Sequence, residues 1–381
     1  MALRQRFDRR DALRTGCNKI GFCQRNTCLL FSHHRILFGL ALMQGGLSLL
    51  AWGLVALPAD GGALWHAHEM IFGHALAVIG GFLLTRLSGR ALAAVVLVWC
   101  AARLTYAVPA VPDLLRAVLS VTATAAIVQP AASVFLRTAK RLGSLLFPVL
   151  LLGFLVADVA FQCGELGLLL RGAEMGRWLG LGLVILLIAA MGGRLIGAAA
   201  SGAAQRAGGP RIAPSPVLDR ALLICLGGGF VAEAAAVRPA GPVLLAAGAV
   251  LIGARLVLWT PGLRRSGGDV RALAAGQVWL GIGLLAWAVA AGGLLPVPET
   301  AALHLATIGG IGGTTLVMIL RASAQREARP MPARRAATIA GLMGAAALLR
   351  AFGPAGPGWV AATLLWALAT ILAATAAFAR R

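Results

Sequence analysis

The sequence predicts an all-α integral membrane protein, a polytopic helical bundle of about twelve transmembrane helices, and three observations predict it. Hydrophobic residues make up 59% of the chain and charged residues only 12%. The apolar residues fall into runs of about the 20 residues that a helix needs to cross a bilayer. The cations gather between those runs and mostly on alternate connections, which is how orientation is encoded in membrane proteins. A net charge of +21 would suggest nucleic acid in a soluble chain. Arginines distributed in this way read as topology instead, so the expected partner is the lipid bilayer and not nucleic acid.

Residues 1–30 read as a basic leader, with Arg4, Arg6, Arg9, Arg10, Arg14, Lys19 and Arg25 and no apolar run long enough for a signal sequence. The leader is expected to be cytoplasmic and partly disordered. Residues 31–381 form the transmembrane domain. Its spans are expected at roughly 35–57, 65–86, 91–108, 114–136, 142–162, 178–198, 218–237, 240–258, 272–295, 299–321, 335–353 and 357–379. Pro58, Asp60 and Gly61-Gly62 mark the turn between the first two.

Arg86 and Arg90, then Arg137, Lys140 and Arg141, then Arg206 and Arg211, Arg264, Arg265 and Arg271, and Arg326, Arg329, Arg334 and Arg335 fall on one side with both termini. Asp60, Asp113, Glu165, Glu174 and Glu299 dominate the other, with Arg171, Arg177 and Arg238 as exceptions. The positive-inside rule makes both termini cytoplasmic, and an even number of spans agrees. Of the six cysteines, Cys17, Cys23 and Cys28 match no common zinc or redox spacing, and Cys100, Cys163 and Cys225 fall in apolar segments. All six read as free.

Span 2 opens with Trp65-His66-Ala67-His68-Glu69-Met70-Ile71-Phe72-Gly73-His74. Ionisable groups are costly in a membrane and are kept where they have a partner or a task. At about 100° per residue, His66, Met70 and His74 drift slowly around one helical face while His68 points elsewhere. The two neighbouring histidines could serve two sites, or one could ligate while the other orients it. Imidazole and thioether are ligands that haem iron and copper accept. Interfacial histidines and a packing methionine are the structural alternative.

Most of the unusual polar groups share one depth, in the outer half: His66, His68 and Glu69 with Arg103, Asp158, Glu233, His304 and Arg350. Arg194, Arg255 and Arg321 sit near inner helix ends, where long side chains are expected to snorkel. Span 10 reads His304-Leu305-Ala306-Thr307-Ile308-Gly309-Gly310-Ile311-Gly312-Gly313. Its glycines admit close approach of another helix or of a flat macrocycle. His304 enters from the same side as His66 and His68, so spans 2 and 10 can each supply one imidazole to a haem.

On these residues the chain resembles the NnrS family of bacterial membrane proteins. Phe31-Ser32-His33-His34-Arg35, Trp65 to Met70, Gly81-Phe82-Leu83-Leu84-Thr85, Gly192-Gly193-Arg194, Leu218-Asp219-Arg220 and His304 to Arg321 carry the resemblance, in family order. The resemblance implies a multi-pass protein of the bacterial cytoplasmic (inner) membrane that contains haem, here of b type, and copper. It also implies a part in nitric oxide metabolism and in resistance to nitrosative stress during denitrification. His66, His68, His304 and His33 match the family's histidines, and His74 does not belong to the motif. The stretch Leu273 to Trp279 lacks a histidine that the family commonly has, and Gln325-Arg326-Glu327-Ala328-Arg329 stands where a Gly-His-Thr-Gly-Arg type of pattern is common. The departures remove two ligands from a copper site and leave the two that a haem needs.

The chain is also similar, more loosely, to the catalytic subunit of haem-copper oxidases, whose copper ligands in spans 6 and 7 have no histidine counterpart here. Reduction of oxygen or nitric oxide by this chain alone is therefore not expected, and no catalytic group is assigned. His68 and His304 are the expected axial ligands, with His66 competing for the first place. Glu69 would orient an imidazole. Arg103 and Arg350 would pair with haem propionates, or with Asp158 and Glu233. Any copper would draw on His66, His68, Met70, His74, His304 and His33. A six-coordinate haem suits electron transfer or sensing, and nitric oxide could bind only if one ligand left. The alternative is a proton- or metal-coupled secondary transporter using the same cluster. It predicts polar groups at the midplane and on both sides of it.

Overall fold

A computed structural model of the chain describes residues 33–54, 62–108, 110–140 and 145–379. The basic leader and the turn at Pro58 and Asp60 lie outside the described residues. Among the described residues there are twelve continuous helices and no strand. They are α1 (His33–Leu54), α2 (62–83), α3 (Gly89–Ala107), α4 (Asp113–Thr138), α5 (Leu146–Glu165), α6 (Gly172–Arg206), α7 (Pro216–Ala234), α8 (Ala240–Leu263), α9 (Gly268–Ala291), α10 (Glu299–Arg326), α11 (Ala333–Phe352) and α12 (Pro357–Ala377). Each falls on one of the twelve apolar runs.

Nine of them, α3 to α6 and α8 to α12, are long and apolar enough to cross a membrane by length and composition. α7 carries Asp219, Arg220 and Glu233 within its 19 residues, and α2 is divided by a π-helical segment. Local chemistry sets the ends. The Ser88 side chain caps α3 by accepting from the Ala91 N–H at 3.2 Å. Pro216 and Pro357 start α7 and α12, where a missing N–H costs nothing. Gly208 (φ 75°) and Gly293 (φ 72°) end α6 and α9 in the left-handed conformation, which lets the following amides reach back to Ala204 and Val289.

Aliphatic side chains face outward as well as inward. Leu97, Ile224 and Val257 are 69%, 71% and 72% exposed at mid-helix positions. Such a belt is unfavourable in water and is what acyl chains solvate. Inside, α2 packs on α1, α4 and α6, α10 packs on α9, α11 and α12, and the first helix lies against the last. Small residues make the α9–α10 contact possible. A Cβ on Gly283 would sit 2.1 Å from the Ala306 nitrogen, and one on Gly276 would sit 2.2 Å from Thr314 Oγ1. Gly309 and Gly310 face Trp279 and Leu280 of α9, and Gly312 faces Met343 and Trp366. The glycines of α10 are thus covered by helices.

The three arginines expected to snorkel divide. Arg194 stacks on Phe147 at 4.7 Å, and Arg321 pairs with Asp269. Arg255 does not snorkel: it is 3% exposed and donates to the Ala189 carbonyl and to Gln277 Oε1, both at 2.9 Å. A run of apolar neighbours cannot reveal such acceptors, because α6 and α9 supply them from elsewhere in the chain.

Candidate functional site

His66, His68, Glu69, Arg103, Asp158, Glu233, His304 and Arg350 lie at the end of the bundle where the even-numbered helices begin. Two of those helices share an irregularity there. Glu69–Ala75 in α2 and Leu305–Gly312 in α10 are π-helical, and each segment begins at the residue after a histidine, His68 or His304. A π segment widens the turn and is a common mark of functional positions in helices. It also breaks the 100° drift that would have kept His66, Met70 and His74 on one face.

His68 is completely buried and has polar groups at both ring nitrogens. Nδ1 lies 3.4 Å from Glu69 Oε1. Around Nε2 are Gln162 Nε2 at 3.0 Å, Ser120 Oγ at 3.1 Å, and Asp158 Oδ1 and the Tyr106 hydroxyl at 3.3 Å. The ring stacks on Tyr106, with centroids 4.5 Å apart, and touches Phe72 and Phe161. Asp158 is equally buried and accepts from Thr124 Oγ1 at 2.6 Å and from Gln162 Nε2 at 3.1 Å. α2, α3, α4 and α5 each contribute, so the network ties four helices together.

Glu69 turns the other way. Its Oε1 accepts from Arg103 Nη1 at 2.6 Å and its Oε2 from Gln44 Nε2 at 2.5 Å. Arg103 lies 5.4 Å from the Tyr106 ring, which joins this pair to the His68 network. Arg103 therefore pairs with Glu69, Asp158 lies beside His68, and Glu233 lies beside Arg238. Arg350 has no ion pair among the described residues and stacks on Trp359 at 4.5 Å.

Arg350 is within electrostatic range of both His66 and His304, and the two imidazoles are within range of each other. His304 Nδ1 bonds the Thr300 carbonyl one turn earlier at 2.5 Å, which fixes the proton on Nδ1 and leaves the Nε2 lone pair outward. His66 of α2, His304 of α10 and Arg350 of α11 are thus within charge-interaction range of one another. His68, only two residues from His66, belongs to a different set of neighbours.

The remaining candidates lie apart. Met70 Sδ is 3.8 Å from Ser48 Oγ of α1. His74 is 3% exposed, bonds the Ala41 carbonyl through Nδ1 at 2.8 Å and packs edge-on to Trp366. His33 lies at the opposite end of the bundle, where Nε2 donates to the Leu87 carbonyl at 2.6 Å. Beside it Arg35 Nε donates to Glu327 Oε1 at 2.7 Å, and Arg329 Nε donates to Glu327 Oε2 at 2.7 Å. Burial raises the Glu327 carboxyl, but the hydrogen bonds and charges of Arg35 and Arg329 outweigh it and hold the group below its ordinary value. Among the described residues no group of three or more His, Cys, Asp or Glu side chains is placed to hold a metal ion.

Sequence reasoning singled out Glu69 and Asp158 but missed Tyr106, Ser120 and Gln162 beside His68. Tyr106 is the only tyrosine in the chain, which is a signal that could have found it. Ser120, Thr124 and Gln162 carry no such mark, since small polar residues also back-bond to their own helices.

Residues 29–380 match the family described as NnrS protein. No curated protein and no solved structure matches the chain.

Proposed function

This chain belongs to the NnrS family, and on that premise we propose that it is a multi-pass protein of the bacterial cytoplasmic membrane that acts in the nitric oxide response and holds a b-type haem between His66 and His304. In this reading all twelve helices span the bilayer, both termini are cytoplasmic, and the histidine end is the outer one. The cation distribution and the pairing of every helix with one apolar run support it. The observation that carries the haem assignment is the grouping of His66, His304 and Arg350. Two imidazoles come from two helices, and one cation, with no ion pair among the described residues, lies within charge-interaction range of both.

The donor set fits the group. His304 keeps Nε2 for iron because Nδ1 is committed to the Thr300 carbonyl, the usual second contact of an axial imidazole. Arg350 keeps guanidinium donors for a propionate while its flat face rests on Trp359. The Glu69–Arg103 pair and the His68–Asp158 network fix the first turns of α2 against α3, α4 and α5, and so hold His66 in place. When bound, the haem would supply one-electron chemistry and affinity for a diatomic ligand. Met70, His74 and His33 are each held elsewhere, so copper has no place in the proposal.

Purification of the full chain in detergent after expression with ample haem tests the reading. About one haem per chain, with sharp reduced α and β bands, is expected of a bis-imidazole site. A colourless protein would overturn it.

A further inference from the structure

Arg326, the last residue of α10, reaches across to the end of α2. Its Nη1 donates to the Gly81 carbonyl at 2.8 Å and its Nη2 to the Phe82 carbonyl at 2.9 Å. Carbonyls in the last turn of a helix have no partner within it and carry its negative pole, so one guanidinium satisfies two of them with favourable charge. Three residues on, Arg329 does the same for α12, donating to the Ala376 and Ala377 carbonyls at 2.8 and 3.1 Å. One short segment thus ties together α2, α10 and α12 at the end of the bundle opposite the histidines.

α2 and α10 meet at this end, through Leu76–Leu83 and Gly313–Arg326. Toward the histidines α2 rests on α1, α3 and α6, and α10 on α6, α9 and α11. Trp366 of α12 stands between the two. It is 4% exposed and lies edge-on to His74 of α2, with ring centroids 6.3 Å apart. It meets α10 at Gly312, where a Cβ would fall 2.5 Å from Trp366 Cζ3.

Stiff helices turn a small tilt at one end into a displacement at the other. From Gly81 to His66 is about 22 Å of helix at 1.5 Å per residue, so a tilt of about 5° moves His66 by about 2 Å. A ligand pair tolerates less than that.

We propose that α2 and α10 splay from their shared contact, and that Arg326 at the apex and Trp366 as the wedge are positioning residues that set the spacing of His66 and His304. The consequence for haem rests on the reading above, and the spacing itself does not.

Pulsed electron paramagnetic resonance between nitroxides on Ala63→Cys and Thr300→Cys, both exposed, measures the spacing in the full-length protein in lipid nanodiscs, with the native cysteines replaced by alanine. Wild type should give one narrow distance. Arg326→Gln should broaden it by about 2 Å or more, and Trp366→Phe should shorten it by about 1 Å or more. Arg326→Lys, which can still cap one carbonyl, should fall between wild type and Arg326→Gln. Arg326 is exposed, so its variants keep the test valid if Trp366→Phe fails to fold. In haem-loaded protein the reduced spectrum of Arg326→Gln should show a five-coordinate fraction that wild type lacks, and Arg326→Lys should restore most of the six-coordinate bands. Distances unchanged in both Arg326→Gln and Trp366→Phe would overturn the proposal, even in less stable variants. Shifted distances in a protein that takes up no haem would support the splay and overturn the haem reading alone.

Discussion

Nε2 of His68 lies 3.3 Å from Oδ1 of Asp158, and both residues are fully buried although 90 positions separate them in the chain. Removing the carboxylate leaves the buried Thr124 hydroxyl and a Gln162 N–H without the acceptor they have now. Asp158→Ala is therefore expected to cost about 1–3 kcal/mol of stability for each group left unpaired. Asp158→Asn should cost less, because an amide can still bond Thr124 and Gln162. Denaturant unfolding in detergent checks the order, and two equally stable variants would contradict it.

Glu69 and Arg103 form a second buried pair, with 2% and 7% of their side chains exposed. Glu69→Ala strands the guanidinium and should cost about 3–5 kcal/mol. Removing both charges in Glu69→Gln/Arg103→Leu should recover a large part of that loss. A double-mutant cycle measures the coupling, and additive single effects would show that the charges do not sense each other.

The α9–α10 contact depends on absent side chains. Gly283→Ala and Gly276→Ala should each cost about 1–3 kcal/mol through overlap with Ala306 and Thr314. Gly253→Ala, with nothing within 4 Å, should be neutral or stabilising because alanine favours helix. Thermal midpoints of the three variants check this.

Glu327 makes stability depend on acid. Its folded value lies below the ordinary 4.5, so its contribution is fully present above about pH 4.5 and is lost as pH falls through the folded value. Glu327→Gln should be less stable than wild type at pH 6, and the difference should shrink toward pH 3. His34 at 3.8 Å, Arg35 and Arg329 face the carboxylate, so the same trend should appear in Arg35→Gln. Thermal midpoints between pH 6 and pH 3 decide.

The helices were legible in the sequence because each apolar run is about one helix long and is closed by glycine, proline or charge. That His66, His304 and Arg350 lie toward the same end of the bundle was legible too, since successive helices run in opposite directions. What surrounds a side chain was not. His68 and His66 looked equivalent, but Asp158, Ser120 and Gln162 reach only His68, and they come from α4 and α5. The π segments were also hidden, because a 3.6-residue period was assumed through Glu69 to Ala75. The glycines of α10 announced a close approach without saying that Trp279, Leu280 and Trp366 make it.

The most direct test of the account compares visible spectra of oxidised and dithionite-reduced protein for wild type, His66→Ala, His304→Ala and His68→Ala. A six-coordinate spectrum in wild type that is lost or turned five-coordinate in His66→Ala and His304→Ala is expected. His68→Ala should keep the six-coordinate spectrum in a less stable protein. A wild type without haem, or a His68→Ala variant that loses a ligand while His66→Ala keeps both, would contradict the pairing of His66 with His304.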